Sequence, residues 1–112
     1  MYQYIVLEKE DNIAKIIFNR PEKINVLLNK TKEELIDVFR KVQVDKTIKA
    51  VILTGAGDNF CAGQDLKEGA EISTETEARD WGHLFMDGYD AIRALTKPLI
   101  ASVKWIFKIS QK

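Results

Sequence analysis

The chain has 112 residues, of which 46% are hydrophobic and 30% are charged, and seventeen basic residues balance seventeen acidic ones. This composition excludes intrinsic disorder. It also lacks the excess of clustered basic residues that is typical of nucleic-acid-binding proteins. No apolar run approaches the ~20 residues that span a bilayer, and the N-terminus lacks a signal-peptide pattern. Its single cysteine, Cys61, cannot form an internal disulfide. From these features together we expect a cytoplasmic protein with no membrane partner.

The first elements predict a β-hairpin. Residues 2–9 and 13–19 are rich in aromatic and β-branched side chains, which favour strands, and a turn signal lies between them at residues 11–12. Residues 20–23 follow as a loop, in which Pro21 would interrupt a strand ladder.

A helix is predicted next, beginning at Thr31. Thr31 and Glu34 have the spacing of a capping box, in which each side chain satisfies a free backbone N–H of the first turn. Apolar residues then recur on one helical face, at Leu35, Phe39 and Val42.

The second half predicts strand, helix and strand. Residues 50–54 form a short apolar run typical of a buried parallel strand, and residues 99–103 predict another. Between them, Thr74 and Glu77 form a second capping box, and Pro98 stops the helix that follows. The layout is α/β with a mostly parallel sheet. We expect the stripe of Trp81, Phe85 and Tyr89 on the second helix to be core. The apolar residues that recur there at steps of three and four are Ala78, Trp81, Phe85, Tyr89, Ile92 and Leu95.

The loop over residues 55–69 does not match either common phosphate-binding pattern. It starts like a dinucleotide fingerprint, but Phe60 stands where the third glycine would fall. A Walker A loop is excluded because Gln64 and Asp65 follow Gly63, in place of Lys and Ser or Thr.

Two interpretations of this loop remain open from its residues alone. Small residues at 61–63 let the backbone approach another group, and a short helix opening at Asp65 would leave free N–H groups near Gln64. Such groups hold oxyanions in enzymes. A tight turn that uses glycine for conformational reasons explains the same residues.

Three segments carry a resemblance to a known family. Residues 19–27 read N-R-P-E-K-I-N-V-L, residues 50–67 include A-V-I-L-T-G and F-C-A-G-Q-D-L-K, and residues 97–103 read K-P-L-I-A-S-V. In this order and spacing, residues 3–103 resemble the enoyl-CoA hydratase/isomerase (crotonase) family. The C-A-G-Q-D-L wording is most similar to isomerase members of phenylacetate breakdown.

The resemblance implies the N-terminal part of the crotonase ββα spiral fold and an acyl-CoA thioester as ligand. Family members stabilise a thioester enolate in a backbone oxyanion hole, and they hydrate or isomerise double bonds. Coenzyme A enters as part of the substrate, so we expect no separate cofactor and no metal. The family forms homo-trimers or hexamers through C-terminal helices.

The resemblance also implies roles for individual residues. The backbone N–H of Gln64 would supply half of the oxyanion hole. Val26 stands where the family has alanine, and its bulk would crowd the adenine. Lys67 would pair with a CoA phosphate, although a solvated lysine explains it equally well. The two walls of the substrate site would be Asn25, Val26 and Leu27 on one side and Ala62, Gln64, Asp65, Leu66 and Lys67 on the other.

Cys61 and His83 are weaker candidates for chemistry. Cys61 has no basic partner nearby in sequence, and the family uses only a small residue at this position. His83 stands alone in a helix, without a ligand set or a triad. We therefore expect structural roles for both.

The sequence departs from the family pattern after Val103. The family continues with Asn-Gly and a glycine-rich turn that carries the second oxyanion N–H, followed by the acid/base residues. Here residues 104–105 read Lys-Trp, which one inserted adenine would create from Asn-Gly codons. We therefore interpret residues 1–103 as a truncated crotonase-like domain and residues 104–112 as a divergent, out-of-frame tail. Resequencing the gene tests this hypothesis.

These departures set the functional alternatives. The chain as given is expected to be an inactive part of an acyl-CoA enzyme, and the alternatives are a CoA-binding-only module and a small α/β interaction module. An incomplete spiral also predicts exposed apolar side chains at Val103, Trp105, Ile106 and Phe107.

Overall fold

The fold is a four-stranded sheet covered on one face by helices, in a computed structural model that describes residues 2–106. A short 3-10 turn at Pro21–Lys23 follows the first hairpin. Within the described residues, no helix is long and apolar enough to cross a membrane. The elements in chain order are β1 (Ile5–Glu10), β2 (Ile13–Phe18), α1 (Asn29–Val44), β3 (Ala50–Gly55), α2 (Leu66–Ala70), α3 (Glu75–Arg93) and β4 (Leu99–Ala101).

The sheet follows chain order, β1-β2-β3-β4. β1 and β2 form the expected antiparallel hairpin, whereas β2–β3 and β3–β4 are parallel pairs. The parallel register places Phe18, at the end of β2, beside Gly55, at the end of β3. The loops that leave these two strands therefore emerge side by side at one edge of the sheet, which is where the predicted site residues lie.

The core lies between this sheet and α1. Alternate residues of β2 point into it, because side chains of a strand alternate between its two faces. α1 packs over the sheet, and α3 packs in turn against α1. The buried apolar residues are Ile5, Ala14, Ile16, Phe18, Leu27, Leu35, Val38, Phe39, Val42, Ile48, Val51 and Leu53.

The start of α1 corrects the first predicted capping box. The helix begins at Asn29, two residues before the predicted start, with Leu28 at the N-cap. Thr31 lies inside the first turn, where its hydroxyl oxygen accepts a hydrogen bond from the Leu28 N–H at 3.2 Å. Thr31 thus reaches back to the cap residue instead of being that residue.

Glu34 binds a distant part of the chain. Its carboxylate accepts hydrogen bonds from the N–H groups of Gln3 and Tyr4, at 2.9 and 2.8 Å. β1 begins at Ile5, so the prediction of a strand from residue 2 is wrong by three residues.

The second capping box is confirmed. Thr74 is the N-cap of α3, and its hydroxyl oxygen accepts a hydrogen bond from the Glu77 N–H at 3.0 Å. The apolar stripe of α3 is only partly core, since Phe85 is 40% exposed and Tyr89 is 50% exposed.

The last strand, β4, ends at Ala101 and is therefore shorter than the predicted strand over residues 99–103. Beyond it, Val103 is 65% exposed and Trp105 is 53% exposed, and Ile106 is also exposed, as the sequence predicts. Phe107 lies outside the described residues.

Candidate functional site

The two segments predicted to form the walls of the substrate site are hydrogen-bonded to each other in a short parallel bridge. The Leu27 N–H donates to the Gly63 carbonyl at 2.7 Å, and the Asp65 N–H donates to the Leu27 carbonyl at 3.1 Å. Leu27 is thereby paired with Gln64. The Ala62 N–H adds a bond to the Ile24 carbonyl at 3.1 Å. The segments around residues 25–27 and 62–65 therefore form one continuous surface.

This bridge determines where the Gln64 backbone points. In a parallel pair, the residue whose two neighbours bond across the bridge directs its own N–H and C=O to the opposite side. The Gln64 N–H therefore faces away from Leu27. Gly63, just before it, has φ +90°, and a Cβ at Gly63 would meet no atom within 4 Å. Glycine is required there by the backbone conformation and not by space.

The short helix α2 follows directly, as the sequence suggests. Asp65 is its N-cap, and the carboxylate accepts a hydrogen bond from the Lys67 N–H at 3.2 Å. Ala62, Leu66 and Lys67 are exposed beside the bridge. The side chains of these three residues are thus available to a ligand, whereas the Asp65 carboxylate already caps the helix.

Asn25 lies behind the bridge and is 1% exposed. Its Oδ1 accepts a hydrogen bond from the Arg20 N–H at 2.8 Å. Its Nδ2 donates to the carbonyls of Ala56 and Asn59, at 3.0 and 2.8 Å. The side chain is therefore fully used within the protein, and it ties the 19–27 loop to the 56–60 turn.

Lys32 joins this site, although it is not among the predicted residues. It is 1% exposed, and its Nζ donates to Gln64 Oε1 at 2.6 Å. The same Nζ lies 4.7 Å from the centre of the Trp81 ring. Burial lowers the pKa of this ammonium. The sequence contains one signal that Lys32 is buried. It lies on the same helical face as the apolar residues Leu35 and Phe39.

The surroundings of Cys61 and His83 do not activate either side chain for catalysis. The Cys61 thiol is half-buried and accepts a hydrogen bond from the Gly63 N–H at 3.4 Å. Burial raises the pKa of this thiol, which keeps it protonated near neutral pH and makes it a poor nucleophile. His83 lies on the exposed side of α3. Over residues 2–106, no group of three or more His, Cys, Asp or Glu side chains could hold a metal ion.

Curated proteins similar to this chain are acyl-CoA enzymes. The short-chain-enoyl-CoA hydratase of Clostridium acetobutylicum is 39% identical over 100 residues, which cover 88% of this chain and 38% of that protein. The 1,2-epoxyphenylacetyl-CoA isomerase of Escherichia coli K12 is 31% identical over 110 residues, which cover 95% of this chain and 42% of that protein. This chain therefore spans about two fifths of the length of these relatives.

A solved structure agrees in fold. The enoyl-CoA hydratase/carnithine racemase of Magnetospirillum magneticum superposes with a TM-score of 0.87 at 30% identity, over 94% of this chain and 40% of that one. The described sheet and helices therefore form the N-terminal part of the crotonase fold. The sequence profile of the enoyl-CoA hydratase/isomerase family matches residues 8–105, and the chain belongs to that family.

Proposed function

We propose that this part of the chain binds an acyl-CoA thioester along the surface formed by the 25–27 and 62–67 segments, with the Gln64 N–H donating to the thioester oxygen. The observation that carries the proposal is the Leu27–Gln64 bridge, which turns the Gln64 N–H away from its neighbouring segment. Gly63, at φ +90°, holds this arrangement.

The chemistry of such a donor is electrostatic. When a proton leaves the carbon next to a thioester, negative charge moves to the thioester oxygen and an enolate forms. A preorganised N–H aimed at that oxygen lowers the barrier by about 3 kcal/mol. Because the donor is backbone, the side chain at Gln64 can vary without loss of the N–H. Both the hydratase and the isomerase relatives act on CoA thioesters according to their names, which supports this ligand class.

The coenzyme A portion would lie along the exposed part of the same surface. Ala62 and Leu66 are accessible there, and the exposed ammonium of Lys67 is free to approach a CoA phosphate. Asn25 would contribute indirectly, since its three hydrogen bonds hold one wall in place.

Calorimetric titration with acetyl-CoA and with free CoA tests the N–H directly, because only acetyl-CoA has the thioester oxygen. Wild type should bind acetyl-CoA more tightly than free CoA, by about fivefold for one hydrogen bond. Gln64→Pro removes the N–H and should abolish this preference, whereas Gln64→Ala keeps the N–H and should keep the preference. Equal loss of the preference in both variants would contradict the role of the N–H.

A matched glycine pair tests the location of the site. Gly63→Val places a β-branched residue at φ +90° and should weaken acetyl-CoA binding about tenfold or more. Gly82→Val adds the same side chain to open space on α3 and should leave binding unchanged.

A hydration assay separates the functional alternatives. If the enoyl absorbance of crotonyl-CoA falls faster with the protein than in buffer alone, the chain is an enzyme. Binding of acetyl-CoA without this loss would identify a CoA-binding module. Absence of binding to both acetyl-CoA and CoA would overturn the proposal and favour a small α/β interaction module.

A further inference from the structure

An apolar cavity of about 190 Å³ lies beside the proposed site, between the ends of β2 and β3 and the inner face of α3. Its surface is almost wholly apolar, and its lining includes the aromatic side chains of Phe18, Phe60, Phe85 and Tyr89. The rings of Phe18 and Phe60 meet edge to face, with their centres 5.6 Å apart. Because an engineered apolar cavity of about 150 Å³ binds benzene, this cavity is large enough for a six-membered ring.

The ammonium of Lys32 does not serve this cavity. Among the described residues that line it, Lys32 is the one that carries a charge. Its Nζ donates to Gln64 Oε1 and lies over the Trp81 ring, and neither Gln64 nor Trp81 lines the cavity. The ammonium is therefore held by groups outside the lining, and the cavity suits a group without charge.

Gly88 is the position at which α3 leaves this space empty. Phe85, Gly88, Tyr89 and Ile92 line the cavity, and their spacing of three and four residues places them on one face of α3. Of the described residues of α3, Gly88 alone is buried. The buried point of this helical face therefore has no side chain.

Neither space nor backbone conformation requires glycine at position 88. A Cβ there would lie 3.9 Å from Leu35 Cδ2, which is ordinary van der Waals contact. The backbone is helical and lacks the positive φ that favours glycine. Glycine inside a helix is less favourable than alanine, and an unfilled apolar cavity also destabilises a fold. A residue that lowers stability in both ways is typical of a functional site.

The cavity borders the proposed thioester position. Leu27 lines it, and Leu27 is the partner of Gln64 in the bridge. Cys61, three residues before Gln64, lines it as well, and its Sγ accepts the Gly63 N–H. The surface that carries the Gln64 N–H is therefore continuous with the lining of the cavity.

We propose that Gly88 is a specificity residue whose missing side chain keeps this cavity open for an uncharged, ring-sized apolar acyl group. The inference rests on the proposed function, because it takes the thioester to lie at the Gln64 N–H. It adds the size and polarity of the acyl group, which the backbone donor alone leaves open.

Calorimetric titration with phenylacetyl-CoA and acetyl-CoA tests the inference, because the two thioesters differ only by the phenyl ring. Wild type should bind phenylacetyl-CoA about tenfold more tightly or better, as for the burial of an aromatic side chain. Gly88→Leu fills the cavity and should bring this ratio of affinities close to one. Gly88→Ala adds a single methyl group and should give an intermediate ratio.

The matched control is Gly82→Leu, which adds the same side chain to the same helix where a Cβ would meet no atom within 4 Å. It should keep the wild-type ratio. Circular dichroism verifies that the variants are folded. Gly88→Ala should melt no lower than wild type, since alanine favours the helix and its Cβ fits, so this variant tests the proposal even if Gly88→Leu does not fold.

The outcomes are distinct. Equal binding of both thioesters by wild type overturns the role of the cavity and leaves the proposed function standing. A wild-type ratio in Gly88→Leu also overturns it, because the ring would then bind outside the cavity. Equal loss of the ratio in Gly82→Leu and Gly88→Leu overturns it too, since the effect would not be specific to the cavity. Absence of binding to both thioesters overturns the proposed function, and this inference with it.

Discussion

At the scale of single residues, a strained backbone segment at Ile24 and Asn25 forms part of one wall of the proposed site. Ile24 and Asn25 have φ of 56° and 53°, in the left-handed region that a β-branched residue such as isoleucine rarely adopts. Two sets of contacts hold this conformation. The Ile24 carbonyl accepts a bond from Ala62, and the buried Asn25 amide makes its three bonds to the backbone. Gly55 completes the packing, since a Cβ there would lie 2.2 Å from the Phe60 carbonyl oxygen.

Asn25→Ala should therefore lower the free energy of unfolding by about 3 kcal/mol, because it leaves one N–H and two carbonyls in partly buried positions without their partner. Urea denaturation followed by circular dichroism measures this change. Asn12→Ala removes an exposed asparagine from the hairpin turn and should change stability by less than about 0.5 kcal/mol. Similar values for both variants would contradict the structural role of Asn25.

At the scale of elements, Asp45 connects the end of α1 to its neighbours. Its Oδ2 forms an ion pair with Lys9 Nζ of β1 at 2.9 Å, and its Oδ1 accepts the Thr47 N–H at 2.9 Å. Its backbone carbonyl accepts a bond from Lys97 Nζ, just before β4, at 2.6 Å. The hydrogen bond from Lys9, followed by those from Thr47, holds the pKa of the Asp45 carboxyl well below its usual range.

This lowered pKa predicts an acid-dependent contribution to stability. Because the folded-state pKa is below the unfolded value of about 3.9, the ionised carboxylate stabilises the fold above that pH, and the contribution is lost as the pH falls below it. Asp45→Asn should melt below wild type near neutral pH, and the two melting temperatures should converge in acid. Asp80→Asn, on the exposed side of α3, should follow wild type at every pH. A gap between Asp45→Asn and wild type that does not narrow in acid would exclude the titration as its cause.

At the scale of the whole molecule, residues 2–106 leave two apolar surfaces open to solvent. On α3, Phe85, Met86 and Tyr89 are each at least 40% exposed. Beyond the short strand β4, Val103 and Trp105 are more than half exposed. Apolar patches of this kind favour association, and a net charge of zero does not oppose it.

We expect this chain to self-associate as its concentration rises, which sedimentation velocity measures. Met86→Lys combined with Trp105→Lys places one charge on each surface and should shift the distribution towards monomer. Val44→Lys changes an exposed valine at the end of α1 that belongs to neither surface, and it should leave the distribution unchanged. A monodisperse, cooperatively melting wild-type monomer would contradict the prediction.

The two capping boxes show which features were predictable from sequence. The bonds of Thr74 and Glu77 form within one helical turn, so their spacing alone predicts them correctly. Thr31 and Glu34 have the same spacing, yet Glu34 binds Gln3 and Tyr4 about thirty positions away. A local sequence pattern cannot predict a partner this far away. The predicted start of α1 is therefore wrong by two residues.

The sequence by itself determined the family, the order of the elements and the loop that contains Gln64, because motif spacing and apolar periodicity are properties of neighbouring residues. The tertiary structure alone decided the direction of the Gln64 N–H, since that direction depends on a bridge to Leu27 across two loops. It also placed Lys32 against Gln64, a hydrogen-bond partner that lies 32 positions away in sequence. The bridge forms because the parallel pairing of β2 with β3 brings the loops that leave these strands to the same edge of the sheet.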